Sequence, residues 1–399
     1  MLQISEKGKQ VPASPIRKLV PFANKAKERG VKVYHLNIGQ PDIETPHIAI
    51  EAMNKLKLDV IEYTASDGNK GLKVKMAQYY QKRGINITDE NILVTTGGSE
   101  AILFAFMSTL NEGDEIIIPE PYYANYSAFA TIAGAKVKTV TSSIENNFAL
   151  PAISEIEKLI TPRTKGIVII NPNNPTGYLY SQEEVEGLAQ IVKKHNLYLY
   201  ADEVYREYCY DGNKHFSVLD LKGVDENVIL FESLSKTYSE CGLRIGGIIS
   251  RNQEVLKVAM RLCMARLCPP ALGQIAAEAS YDTPEAYFVE CRKEYTERRD
   301  FMVKALNDMP GVVCPMPKGA FYAIVKLPVD DADKFAQWLL EEFEYNKQTV
   351  MVAPASGFYN TPGLGKNEVR IAYVLKTSEL QKAMETLAVA LQQYPGRQE

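Results

Sequence analysis

Between about residues 92 and 250, short runs of β-branched and aliphatic residues alternate with stretches whose apolar positions recur every three to four residues. The runs predict strands at Asn91–Thr95, Glu115–Ile118, Gly166–Ile170, Leu197–Tyr200, Val228–Phe231 and Ile245–Ile249. The periodic stretches between them predict helices. The clearest is Glu183–His195, which puts Val185, Leu188, Ile191 and Val192 on one face and opens with Ser181 and Glu184 at capping-box spacing. Strand and helix in alternation predict an α/β fold: a mostly parallel sheet of the seven-stranded type between two layers of helices.

The pattern changes after Thr283-Pro284, where a helix of about two dozen residues rich in Arg, Lys and Glu runs toward Met309. Strand-like pieces at Ala320–Val325, Val350–Ala353 and Glu368–Val374 follow. A last amphipathic helix, Ser378–Gln393, carries Leu380, Met384, Leu387 and Leu391 on one face. The expected organisation is a large α/β domain over 47–285 and a smaller α+β domain over 286–399. An N-terminal segment, 1–46, is expected to pack with the smaller one.

Composition narrows the function classes. A chain of 399 residues with 46% hydrophobic and 24% charged residues is an ordinary globular sequence, which excludes disordered, collagen-like and coiled-coil classes. Lys and Arg number 45 against 49 Asp and Glu, so no sequence-wide basic field is available for nucleic acid or an anionic membrane. The expected partner is a small molecule. The opening lacks the apolar stretch of a signal peptide, and no run approaches the ~20 residues of a membrane span, so the expected location is the cytoplasm. The six cysteines form no Cys-x-x-Cys pair and only four histidines are present, which predicts neither a disulfide framework nor a metal site.

Candidate chemistry sits where the predicted strands end. Thr95-Thr96-Gly97-Gly98-Ser99-Glu100 joins a strand to an apolar helix, Ala101–Leu110, and such a turn aims free N–H groups and the positive helix end at one spot suited to phosphate. Alone, it also serves as a plain connection. Asn171-Pro172-Asn173-Asn174-Pro175-Thr176-Gly177 follows the next strand, and by itself is turn chemistry. Asp202-Glu203-Val204-Tyr205 then puts a carboxylate and a phenol at a strand end, and Ser233-Leu234-Ser235-Lys236 adds a lysine with Arg244 eight residues beyond. All these groups fall at the carboxyl edge of the predicted sheet, where open α/β folds bind ligands. A lysine among such partners, with no histidine base and no metal, suits an amine that forms a Schiff base with a carbonyl cofactor.

Asn-Pro-x-Asn-Pro-Thr-Gly, Asp-Glu-x-Tyr and Ser-x-Ser-Lys followed by Arg244 together resemble the pyridoxal phosphate enzymes of the aspartate aminotransferase type, class I and fold type I. Matching segments run from Gly39 to Arg370 in family order. The resemblance implies that Lys236 carries pyridoxal 5'-phosphate and shuttles the substrate proton. It implies Asp202 at the ring nitrogen, Tyr205 and Asn174 at the ring oxygen, and Tyr123 stacked on the ring. Phosphate would rest on Gly98, Ser99 and Glu100 with Ser233 and Arg244. Arg370 would grip the substrate carboxylate and Gly39 would lie in the segment that closes over it.

Tyr63 resembles the tyrosine that reaches a neighbouring subunit's phosphate, implying a homodimer with shared active sites. The implied reaction moves an amino group from an L-amino acid to a 2-oxo acid. A β-lyase of the same fold and a non-catalytic ligand sensor are the alternatives. For a side-chain carboxylate of the substrate, Arg17, Lys70 and Arg266 are the candidate cations.

Overall fold

The computed structural model describes residues 2–398. The chain forms a short strand β1 (Lys32–His35) and then the seven strands of a large sheet. These are β2 (Ile92–Thr95), β3 (Glu115–Glu120), β4 (Lys136–Thr141), β5 (Thr164–Ile170), β6 (Tyr198–Asp202), β7 (Val228–Ser233) and β8 (Gly246–Ile249). Their spatial order is β2-β8-β7-β6-β5-β3-β4. The strand β4 was not among the runs expected from the sequence.

Side chains alternate across the sheet as the pleat requires. Ile117, Ile167, Ile169, Leu199 and Leu230 enter one buried cluster, with the helix Gln182–His195, while Ile116, Ile118, Val168, Tyr200, Ile229 and Phe231 enter another on the opposite face. Both faces are covered, so the central strands read as continuous apolar runs. The helix Gln182–His195 is opened by the expected capping box, with Glu184 N–H donating to Ser181 Oγ at 3.2 Å and Ser181 N–H to Glu184 Oε2 at 2.7 Å.

The sheet departs from a uniformly parallel one at β8, which is antiparallel to both β7 and β2. The link from Ser233 to Gly246 holds one short helix, Leu234–Thr237, and turns straight back instead of crossing over the sheet. Its start and its end therefore lie at the same edge, where Thr95, Gly246 and Ser233 are register neighbours. The carboxyl ends of β2, β3, β5, β6 and β7 share that edge.

Past the helix Glu285–Asn307, β9 (Tyr322–Lys326), β10 (Gln348–Met351), β11 (Ala353–Pro354) and β12 (Glu368–Ala372) build two small sheets. One is antiparallel, ordered β11-β12-β9, and the other pairs β10 in parallel with β1. Leu19, Ala23 and Ala26 from the N-terminal helix Val20–Glu28 and its edge share a buried cluster with Leu306, Phe335, Leu339 and Leu387. Tyr205 and Tyr208, just past the end of β6, enter the same cluster, and the Tyr205 ring lies 5.2 Å from that of Phe321. The edge of the large sheet is thereby roofed by the C-terminal elements.

Candidate active site

Between the sheet edge and that roof lies a cavity of about 710 Å³. Its floor comes from strand ends. Asp202 closes β6 and aims a carboxylate into the cavity, whereas Glu203, one residue on, points beneath the sheet and accepts from Ser217 Oγ at 2.8 Å and Val218 N–H at 2.8 Å. Asp202 accepts from the Tyr126 hydroxyl at 3.1 Å, and burial pushes its carboxyl up to about 6. Among the described residues it has no cation in ion-pair range, so the floor is an anion in want of a positive partner.

At the same edge the helix Gly97–Thr109 begins, and its first-turn N–H groups at Gly98 and Ser99 line the cavity with no acceptor one turn earlier. Gly97 takes φ +72, and a Cβ there would lie 2.6 Å from Arg244 Nη2, so only glycine allows the guanidinium this close to the helix start. Arg244 holds its place from a left-handed backbone conformation, φ 57, and donates to Cys241 O at 3.0 Å. Ser233 and Ser235 line the same wall. Unpaired N–H groups, a guanidinium and a hydroxyl around one hollow form a cradle for a phosphate.

Lys236 reaches into the cavity beside this cradle, donating from Nζ to Gly39 O at 2.7 Å and approaching Cys241 Sγ at 3.7 Å. Opposite, Asn174 Nδ2 donates to the Tyr205 hydroxyl at 3.4 Å, and Tyr205 meets the Tyr322 hydroxyl at 3.1 Å. Burial pushes the phenols of Tyr205 and Tyr123 up, so both are neutral and able to donate.

Arg370, on β12, forms the roof. It is 2% exposed, donates to Asn174 Oδ1 at 3.0 Å and Asn37 O at 2.6 Å, and packs 4.6 Å from the Tyr322 ring and 4.9 Å from that of Phe358. Among the described residues no carboxylate pairs with it, its Nε is buried without an acceptor, and burial lowers its affinity for the proton. A buried guanidinium in this condition is set for an anionic ligand. Gly39 lies close below Tyr322, where a Cβ would come within 1.7 Å of the hydroxyl oxygen.

Gly39, Gly98, Ser99, Tyr123, Asn174, Asp202, Tyr205, Ser233, Lys236, Arg244 and Arg370 thus share one cavity. Glu100 and Tyr63 do not line it. The Glu100 carboxylate folds back to accept from Thr96 N–H at 2.7 Å and to pair with Arg266 Nη1 at 2.5 Å, and Tyr63 is 79% exposed. Arg266 is also tied to Ser66 O at 2.8 Å, so it buttresses the helix start instead of facing a ligand, a correction to its candidacy. Lys70 is exposed and likewise off the cavity. Arg17 lines it. Sequence reasoning passed over Tyr322, Asn37, Tyr126 and Cys241. Of these, only Asn37 and Cys241 carried a signal, since each sits within a few residues of a motif already singled out.

Among the described residues, no cluster of His, Cys, Asp and Glu could hold a metal ion, and no helix is long and apolar enough to cross a membrane. The family model of aminotransferases of class I and II matches residues 31–387. An aspartate aminotransferase of Pyrococcus horikoshii is 34% identical over 98% of this chain and 97% of its own length. An aromatic-amino-acid aminotransferase of Thermococcus litoralis is 31% identical, covering 98% of this chain and 99% of its own. Among solved structures, an alanine aminotransferase from Pyrococcus furiosus superposes with a TM-score of 0.90 at 31% identity, covering 98% of this chain and 100% of the other. With a match over most of its length to the family model, and near-complete coverage of these relatives, the chain belongs to the class I and II aminotransferase family.

Proposed function

We propose that this aminotransferase uses pyridoxal 5'-phosphate to move the amino group of an L-amino acid to a 2-oxo acid. The observation that carries the reading is that one cavity holds an uncompensated carboxylate at its floor, an uncompensated guanidinium at its roof and a lysine amine between them. The bound cofactor supplies a carbonyl for the amine and a ring that takes up the electron pair left at the substrate Cα. The residues fit it: Asp202 for a pyridine nitrogen, Tyr205 and Asn174 for the ring oxygen, Tyr123 for the ring face. The cradle of Gly98, Ser99, Ser233 and Arg244 fits its phosphate.

Asp202 keeps a proton on the ring nitrogen, a task a neutral amide would not perform. Arg370 orients the substrate by gripping its α-carboxylate bidentately, with Asn174 and Asn37 fixing the plane of the guanidinium. Lys236 Nζ would carry the proton away from Cα, with Gly39 O holding the amine in place. The relatives are named for aspartate, aromatic residues and alanine, donors that share the α-amino and α-carboxylate groups served here.

We also propose a homodimer, with Tyr63 reaching the phosphate of the second copy. In support, Leu58, Val60, Ile61 and Tyr63 form a run of exposed apolar side chains, 50 to 79% accessible. That run is longer than a solvent-facing loop needs.

Product analysis tests the reaction. Incubated with an amino acid and a 2-oxo acid, the enzyme is expected to form the exchanged pair in equal amounts with no ammonia. Release of ammonia matching the oxo acid formed would mean a lyase instead.

A further inference from the structure

Cys241 lies in the link that joins Lys236 to Arg244, and both Lys236 and Cys241 line the cavity. Its place is fixed from two sides. The Cys241 thiol donates to Ser235 O at 3.1 Å, and the Cys241 carbonyl accepts from Arg244 Nη1 at 3.0 Å. With the S–H committed to Ser235 O, the sulfur lone pairs are left to accept from Lys236 Nζ at 3.7 Å. The link bends through left-handed backbone at Ser239, φ 56, and at Arg244, φ 57, and it buries Glu240 in between. Thiol and amine are therefore held face to face.

Among the described residues, Cys241 is the one cysteine lining the cavity. Burial pushes the thiols of Cys263 and Cys291 up to about 11 and those of Cys209 and Cys314 up to about 12, which keeps these four protonated and slow to react. Cys241 is half-buried, and its neighbour Gly242 is exposed with open space where a Cβ would stand, so a small solute has a way to the sulfur. A serine or threonine hydroxyl would make the same bond to Ser235 O. What sulfur adds at this position is its redox chemistry.

We propose that Cys241 and Lys236 form an oxidant-sensitive modification site, at which hydrogen peroxide joins Sγ to Nζ as a sulfenamide and so withdraws the amine from the reaction. The consequence for activity rests on the reading of Lys236 given above. In the first step the sulfur attacks a peroxide oxygen: an S–O bond forms as the O–O bond breaks, the thiol is oxidised to a sulfenic acid and the peroxide is reduced to water. In the second, the neutral amine attacks the sulfur. An N–S bond forms, the S–O bond breaks, and the hydroxide leaves with a proton of the amine as a second water. A thiol reductant reverses the change, its sulfur displacing the amine, and a second thiol then restores Cys241 and departs as a disulfide. An amine already engaged by the cofactor carbonyl is protected, and a donor amino acid that takes its place exposes it.

The test exposes the holoenzyme and its Cys241→Ser variant to hydrogen peroxide, each with and without a donor amino acid and with no 2-oxo acid. Two readouts are taken: the mass of the segment holding Lys236 and Cys241, and the share of each protein's own untreated activity that survives. With donor present, the wild-type segment is expected to become lighter by two hydrogens and to resist cleavage after Lys236. Its activity is expected to fall at least about tenfold faster than without donor, and at least about tenfold faster than that of Cys241→Ser, and to return on adding dithiothreitol. A Cys241 that gains oxygen while Lys236 stays unlinked, or a Cys241→Ser variant inactivated as fast as wild type, would overturn the proposal. If the wild type transfers no amino group at all, the transaminase reading fails, and the mass of the same segment in the peroxide-treated protein without cofactor still decides whether Sγ and Nζ join.

Discussion

Lys236→Ala is expected to lower amino transfer by at least about 10⁴-fold, because it removes the amine that serves both as nucleophile toward the cofactor carbonyl and as carrier of the Cα proton. Among the described residues Lys236 is the one amine side chain lining the cavity, and no histidine lines it to take over the proton. The fold is expected to survive. The side chain is half-buried, and its loss frees Gly39 O, which keeps the Tyr322 hydroxyl at 3.4 Å, so the cost is about 1 kcal/mol. Steady-state rates and a thermal unfolding curve together check this. Activity within about tenfold of wild type, in a folded variant, would contradict the assignment.

Asp202→Asn has effects of opposite sign on activity and on stability. Turnover is expected to fall by roughly 10²- to 10⁴-fold, since an amide does not hold a proton on the ring nitrogen. The cofactor-free variant, in contrast, is expected to be more stable than wild type near pH 8. The Asp202 carboxyl rises from 3.8 to about 6 on folding because its charge is buried, an interval worth roughly 3 kcal/mol at most. With a raised value in the folded state, the carboxyl favours folding below pH 4 and loses that contribution as pH rises through about 6. The gain of the variant should therefore be largest above pH 6 and vanish toward pH 4. Adding pyridoxal phosphate should reverse the order, because a cationic ring compensates the carboxylate and not the amide. Unfolding midpoints against pH, with and without cofactor, measure each part. A variant that is less stable at pH 8 would mean that Asp202 holds the fold together instead of waiting for a ligand.

The sequence and the structure agree most closely where function depends on the ends of buried strands. Runs such as Gly166–Ile170 and Val228–Phe231 are apolar because both sheet faces are covered, and the motif after each is confined to one edge by the common strand direction. Lys236 and Arg244 could thus be placed together from spacing alone. The strand β4 escaped notice because it is an edge strand whose Lys136 and Lys138 alternate with half-buried residues, leaving no apolar run to read. β1, four residues long, depends on pairing with β10 more than three hundred positions away. Tyr322 was hidden for the same reason. It sits in a predicted strand but meets Gly39 and Tyr205 only once the C-terminal elements close over the sheet edge, a contact with no local signature. Arg266 was a plausible cation by sequence, and it is the half-buried partnership with Glu100 that removes it from the site.

The visible absorption spectrum of the purified protein, loaded with pyridoxal phosphate and titrated with single amino acids in the absence of any 2-oxo acid, tests the central claim most directly. A long-wavelength band is expected that bleaches in proportion to added donor and returns when a 2-oxo acid is supplied. A band that never forms, or one that no amino acid bleaches, would contradict the account.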